Sequence, residues 1–187
     1  MKNYQITQWC HHFIREQVSA GDLCIDATMG NGKDTLLLSE LAGKDGQVLA
    51  FDIQPAALVH TRELLDSRGH YANYRLILDS HENLPQYARP ETVSCIVFNF
   101  GYLPGGDHTK ATKASTSIPA IAASLSLLKK GGLLSLCIYH GKDSGTEERD
   151  AIFRYIRTLD PRRFLVIASS YLNRPNHPPI PVLIIRL

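Results

Sequence analysis

Apolar positions at Ile6, Trp9, Cys10, Phe13, Ile14 and Val18 recur at helical spacing through residues 4 to 19. They predict an amphipathic helix filling the first 20 residues and ending at the Gly21-Asp22 turn. Beyond it, strand-like and helix-like stretches alternate. Strands are predicted over Leu23 to Ala27, Gln47 to Ile53, Tyr74 to Leu78, Thr92 to Phe100 and Leu133 to Tyr139. Helices are predicted over Asp34 to Leu41, over Pro55 to Ser67 with its proline at the first helical position, and as a short turn after the third strand that ends near Pro85 to Tyr87. Two more follow, from Ser117 to Lys129, stopped by Gly131-Gly132, and from Glu147 to Leu159. The chain closes with strand-like runs at Phe164 to Tyr171 and Val182 to Leu187, joined without a helix through 173–179, so an antiparallel pair is expected. Thr92 to Phe100 is the most apolar run, as suits a central strand covered on both faces. The pattern describes one α/β domain over 1–187: a doubly wound, mostly parallel, seven-stranded, Rossmann-like sheet with a terminal antiparallel β-hairpin. Between the fourth strand and the next helix, residues 101 to 114 form a long polar, glycine-rich loop of the kind that carries function.

Composition changes this picture little. At 187 residues the chain is long enough for a full core, and its net charge is +2. The charge is unevenly spread: residues 1 to 107 hold 8 Lys+Arg against 13 Asp+Glu, and residues 108 to 187 hold 12 against 5. An acidic half that suits a cation is joined to a basic half that suits phosphates, although solvated helix faces would give the same skew. Cys10, Cys24, Cys95 and Cys137 form no C-x-x-C and sit mostly in apolar runs, which reads as reduced core thiols in a cytoplasmic protein. No stretch approaches 18 apolar residues and no apolar leader follows the N-terminus, so neither a membrane span nor secretion is expected.

The chemistry gathers where strands end. The first strand leads into Asp26-Ala-Thr-Met-Gly-Asn-Gly32 and then a helix, a turn shaped for a nucleotide-sized ligand. Thr35 stands where a dinucleotide fingerprint needs its third glycine, and Lys33 is followed by Asp34 rather than Ser or Thr, which excludes a P-loop. The remaining pattern, D-x-T-x-G-x-G, is close to the D-x-G-x-G-x-G turn of class I S-adenosylmethionine (SAM) methyltransferases, with Thr28 in place of the first glycine. Asp26 and Asp34 would repel a pyrophosphate but suit a sulfonium and an ammonium group. Strands one, two and three end at Asp26, Asp52 and Asp79, three carboxylates along one edge. Asp52 lies 20 residues after Gly32, a spacing at which an acid holds ribose hydroxyls, and Asp79, with Ser80 and His81 beside it, is the candidate acceptor for an adenine amino group.

The fourth strand ends in Asn99-Phe100-Gly101-Tyr102. N-methyltransferases acting on exocyclic amines often carry Asn-Pro-Pro-Tyr there, and this chain keeps the Asn and Tyr but neither proline. The competing reading makes Asn99 a satisfied turn residue and Tyr102 a loop anchor. Methyl transfer from a sulfonium is an in-line displacement in which positioning does most of the work. An ammonium nucleophile must first lose a proton, for which Asp107, His108 and His140 are candidates. His108, His140 and His177 have no metal-ligand spacing, and no metal is expected.

With these motifs in place, the chain resembles the small class I SAM-dependent methyltransferases known as the rRNA methylase family, associated in bacteria with tRNA 5-(aminomethyl)-2-thiouridine methylation. The matching stretches are Asp26 to Thr35, Phe51 to Gln54, Asp79 to Leu84, Asn99 to His108, Tyr139 to Gly141 and Asn173 to Pro179. The resemblance implies a SAM pocket built on Asp26, Gly30, Asn31, Asp34, Thr35, Asp52, Gln54, Asp79 and His81, with Thr28, Gly32, Ser80 and Asn99 adjoining it. It also implies that Tyr102, Tyr139, Asn173, Arg174, Asn176 and His177 face the nucleoside, with Asn99, Asp107, His108 and His140. A tRNA partner, contacted at its anticodon region, and a homodimer are expected on the same ground. Alternatives that stay open are rRNA or a small amine as substrate, and a non-enzymatic RNA- or SAM-binding module.

Overall fold

The computed structural model describes residues 5–69, 71–101, 111–141, 145–175 and 177–187. Its elements in chain order are α1 (Ile6–Gln17), β1 (Leu23–Asp26), α2 (Lys33–Ala42), β2 (Gln47–Asp52), α3 (Pro55–Ser67), β3 (Tyr74–Leu78), a 3₁₀ turn (His81–Gln86), β4 (Val93–Phe100), α4 (Ala114–Leu127), β5 (Leu128–Ile138), α5 (Thr146–Ile156), β6 (Phe164–Ala168) and β7 (Ile180–Arg186). The strands form one seven-stranded sheet in the order β3-β2-β1-β4-β5-β7-β6. The first five pair in parallel, and β7 runs antiparallel to both β5 and β6. This is the class I methyltransferase fold with its reversed strand next to the edge.

Alternation along the strands sorts the core into two layers. Cys24, Val48, Cys95, Val97, Leu133, Cys137 and Leu183 pack with α1 and α2 on one face. Ile25, Phe51, Ile96, Phe98, Phe100, Leu136 and Ile184 face the other layer, which includes α4 and α5. Side chains at i, i+2 and i+4 share a face, so Asn99, two beyond Val97, and Tyr139, two beyond Cys137, project at the strand tips toward the α1 side.

Gly131-Gly132 does not stop a helix as expected. Helix α4 ends at Leu127, where the Leu128 N–H caps the Ser124 carbonyl, and β5 begins at once. Leu128 pairs with Val93, the register shifts, and pairing resumes at Leu133 with Cys95. The extra residues bulge outward, and Lys129 on that bulge reaches Asp22 at 2.7 Å. Gly132 is required there because a Cβ would stand 2.8 Å from the Lys129 carbonyl oxygen. Strand β6 is likewise shorter than the predicted run to Tyr171, ending at Ala168.

Candidate active site

The strand order reverses direction of growth between β1 and β4, and ligands of open α/β sheets bind beyond the strand ends at such a point. A cleft of about 720 Å³ lies there. Its floor is the turn after β1, with Thr28, Gly30 and Asn31, and its far end holds Asp52, Gln54, Asp79, Ser80 and His81. Asp34, Asn99, Gly101 and Tyr139 line the end toward α1.

Asp26 stands behind this wall rather than on it. It is fully buried, with one carboxylate oxygen accepting from the Thr35 hydroxyl at 2.6 Å and the other from the Thr28 N–H at 3.2 Å. Burial, then the charge of nearby Asp34, pushes its carboxyl up to about 8. Thr35 is equally buried, so this pair shapes the turn from beneath. Gly32 is also a packing position: its φ is +79° and a Cβ would stand 2.9 Å from the Thr61 Cα on α3. Gly30, at φ +52°, offers its N–H to Asp52 at 3.0 Å.

Asp52 is held at both oxygens by backbone donors, Gly30 N–H at 3.0 Å and Gln54 N–H at 2.9 Å, and keeps lone pairs for a diol. Asp79 accepts from the Asn83 amide and the Ser80 N–H on one oxygen and from the Tyr87 hydroxyl on the other. Those side-chain bonds from Asn83 and Tyr87 hold its carboxyl below the usual carboxylate range. With three donors in place it retains about one acceptor position. His81 packs edge-on against Phe98 and Phe100, and burial lowers its basicity, so a neutral imidazole faces this end of the cleft. Asn31 meets the His60 ring at 3.2 Å.

At the opposite end, the Asn99 N–H donates to the Thr28 hydroxyl at 2.7 Å, and its side-chain Nδ2 donates to Asp34 at 2.6 Å. Asp34 being an acceptor sets the amide's orientation, so Oδ1 is the end left to accept from a ligand. Gly101 and Thr112 then join in both directions: Thr112 N–H to the Gly101 carbonyl and Gly101 N–H to the Thr112 hydroxyl, each at 2.8 Å. Buried Glu148 anchors this pair, accepting from Thr112 at 2.8 Å and Ser117 at 2.6 Å, and burial raises its carboxyl.

Tyr102, Asp107, His108 and Asn176 lie outside the described residues. His140 is off the cleft wall, its ring 5.7 Å from that of His177 and its Nδ1 3.4 Å from the Arg149 guanidinium. Burial, Arg149 and His177 together lower its basicity. Asn173 and Arg174 are exposed on the connection before β7. Among the described residues no group of three or more His, Cys, Asp or Glu is placed to hold a metal ion. No helix among them is long and apolar enough to cross a membrane.

Sequence reasoning missed the contribution of α1, whose Thr7, Gln8 and His11 line the cleft, and of Lys113 and Thr116 at the start of α4. The signal was present: Thr7 and His11 stand four apart beside the buried stripe Ile6, Cys10, Ile14, a polar strip flanking the packed face.

Fold and site define a class I methyltransferase. The model of the family described as "Putative rRNA methylase" matches residues 48–185, and the chain belongs to that family. It is 36% identical over 180 residues to the chloroplastic tRNA (mnm(5)s(2)U34)-methyltransferase of Arabidopsis thaliana, covering 89% of this chain and 65% of that relative. The chain thus spans less than two thirds of that relative's length. Among solved structures, one described as a "putative rRNA-methylase" from Clostridium thermocellum superposes with a TM-score of 0.95 at 35% identity, over all of both chains. One described as "a putative methyltransferase" from Streptococcus mutans, in complex with SAH, gives 0.90 at 35% identity, again over all of both chains.

Proposed function

We propose that this chain is a SAM-dependent RNA methyltransferase that methylates the aminomethyl group of wobble 5-aminomethyl-2-thiouridine in tRNA, giving the 5-methylaminomethyl form. The observation that carries the reading is Asn99: its amide nitrogen is committed to Asp34, which leaves its carboxamide oxygen as an acceptor in the cleft. An acceptor at that point suits an amine, whose lone pair attacks while an N–H is held. The kinship with a tRNA methyltransferase supports an RNA-borne amine.

The residues fit SAM as cofactor. Asp52, anchored by two backbone donors, suits the ribose diol, and Asp79 the adenine amino group. Asp34 in the first turn of α2 disfavours a pyrophosphate and suits the α-ammonium group. When bound, the cofactor supplies a methyl group on a sulfonium, which leaves as a neutral thioether. Asn99 orients the amine for in-line attack, and Tyr102 and Tyr139 hold the base. The proposed acceptors of the proton that the amine releases are Asp107 and His108, and His140, which stands off the cleft wall and would take it by way of solvent. Lys33 and Lys113 on the cleft wall, with the Asn173 to His177 connection, supply the RNA-facing surface. The same reading has the protein work in the cytoplasm, as a homodimer, on the anticodon region.

Nucleoside mass spectrometry of bulk tRNA from a strain lacking the gene, beside its parent, tests this. Loss of 5-methylaminomethyl-2-thiouridine with accumulation of its aminomethyl precursor is expected. Identical profiles would overturn the tRNA assignment and turn attention to rRNA or a small amine. SAM binding without turnover on any of these would leave a binding module.

A further inference from the structure

Helix α1 enters the site through one side chain. His11 Nε2 stands 2.5 Å from Asp34 Oδ1, while Asp34 Oδ2 accepts from Asn99 Nδ2 at 2.6 Å. The chain links α1, α2 and the tip of β4, and its first two side chains are only 13% and 15% exposed. A carboxylate can only accept, so His11 must present Nε2–H, and the Asn99 amide must present its nitrogen. Reversing the amide would set two acceptors, Asn99 Oδ1 and Asp34 Oδ2, against each other and lose a charge-assisted bond. Asp34 sits beside buried Asp26, whose carboxyl its charge helps to raise, and His11 and Asn99 supply a donor to each of its own oxygens. His11 is also not part of the helix's packed stripe, which is Ile6, Cys10 and Ile14.

We infer that His11 is a positioning residue: acting through Asp34, it holds the Asn99 carboxamide with its oxygen turned to the cleft, where it accepts from the substrate amine. This rests on the amine-methylation reading. It gives the N-terminal helix a task in methyl transfer besides packing on the sheet. It also predicts that the effect of His11 on kcat is transmitted by Asn99.

The test compares wild-type protein with H11A, H11Q, N99A and H11A/N99A. Glutamine carries an amide N–H that can replace the imidazole donor. Turnover of tRNA bearing 5-aminomethyl-2-thiouridine is measured with SAH affinity, and SAH-bound crystal structures are determined for wild type, H11A and H11Q. H11A is expected to lower kcat by roughly tenfold or more, with KM for SAM and SAH affinity changed by less than about twofold. H11Q should recover most of the rate, and the double variant should be no slower than N99A alone. An unchanged kcat in H11A, additive losses in the double variant, or H11Q as slow as H11A would overturn the inference. In the crystals, the Asn99 amide should leave Asp34 in H11A and stay in H11Q. An unmoved Asn99 in H11A overturns the inference whatever the turnover. A displaced Asn99 together with a wild-type protein inactive on the amine sustains the positioning and overturns the amine reading instead.

Discussion

The Thr28 hydroxyl accepts a hydrogen bond from the Asn99 N–H at 2.7 Å, tying the turn after β1 to the tip of β4 across the switch point of the sheet. Class I turns usually carry glycine where Thr28 stands, and this bond explains the departure. The hydroxyl satisfies a backbone donor that would otherwise lack a protein partner at the end of its ladder. Thr28→Ala should therefore cost about 1 to 3 kcal/mol and lower Tm by several degrees, while Thr28→Ser keeps most of the stability. Thermal unfolding of the two variants checks this. Equal stability of Ala and Ser at position 28 would show that the bond contributes nothing.

Asp26 gives a prediction with a definite sign in pH. Unfolded, its carboxyl titrates near the ordinary value of about 3.9. Folded, burial pushes it up to about 8. Between these values the folded chain keeps a proton that the unfolded chain has lost, so the residue's contribution to stability falls as pH rises through that window. Asp26→Asn removes the titration. Its amide oxygen can still accept from Thr28 N–H and its nitrogen can donate to a reoriented Thr35 hydroxyl. The Tm of the Asn variant relative to wild type should therefore be higher at about pH 8 than at about pH 5. A difference that stays flat with pH would contradict the raised value.

Glu148 predicts a link between a buried carboxylate and substrate capture. It anchors Thr112, whose two bonds to Gly101 join the ends of the segment carrying Tyr102, Asp107 and His108. Glu148→Ala leaves two hydroxyls without their acceptor, at a cost of about 2 kcal/mol, and should raise KM for tRNA more than KM for SAM. Glu148→Gln keeps one acceptor oxygen and should fall between. Steady-state kinetics and Tm on the three proteins decide it.

Fold and site were legible in the sequence to different degrees. Strand identity was legible because the runs ending at Asp26, Asp52 and Phe100 alternate small and bulky apolar side chains without a helical period. The connection through 173–179, which carries no helix signal in the sequence, announced the antiparallel hairpin, since no crossover was available for a parallel partner. The start of β5 was not legible: Gly131-Gly132 resembles a helix stop, and only the pairing of Val93 with Leu128 shows that the strand has already begun. Three carboxylates at strand ends were readable, but not that Asp26 faces inward while Asp52 faces the cleft, because that depends on the turn geometry at Gly30. The bond between His11 and Asp34, unlike the polar strip that carries His11, was hidden for a different reason: the two residues are 23 apart on different helices, and no local pattern reports a contact made by tertiary packing.

The decisive measurement is the reaction of the purified protein with SAM and tRNA carrying 5-aminomethyl-2-thiouridine, followed by nucleoside mass spectrometry. Conversion to the methylaminomethyl nucleoside with stoichiometric SAH, slowed roughly tenfold or more but still measurable in Asn99→Ala, a protein that still binds SAH, is the predicted result. An aminomethyl nucleoside left unchanged by a preparation that binds SAH would contradict it.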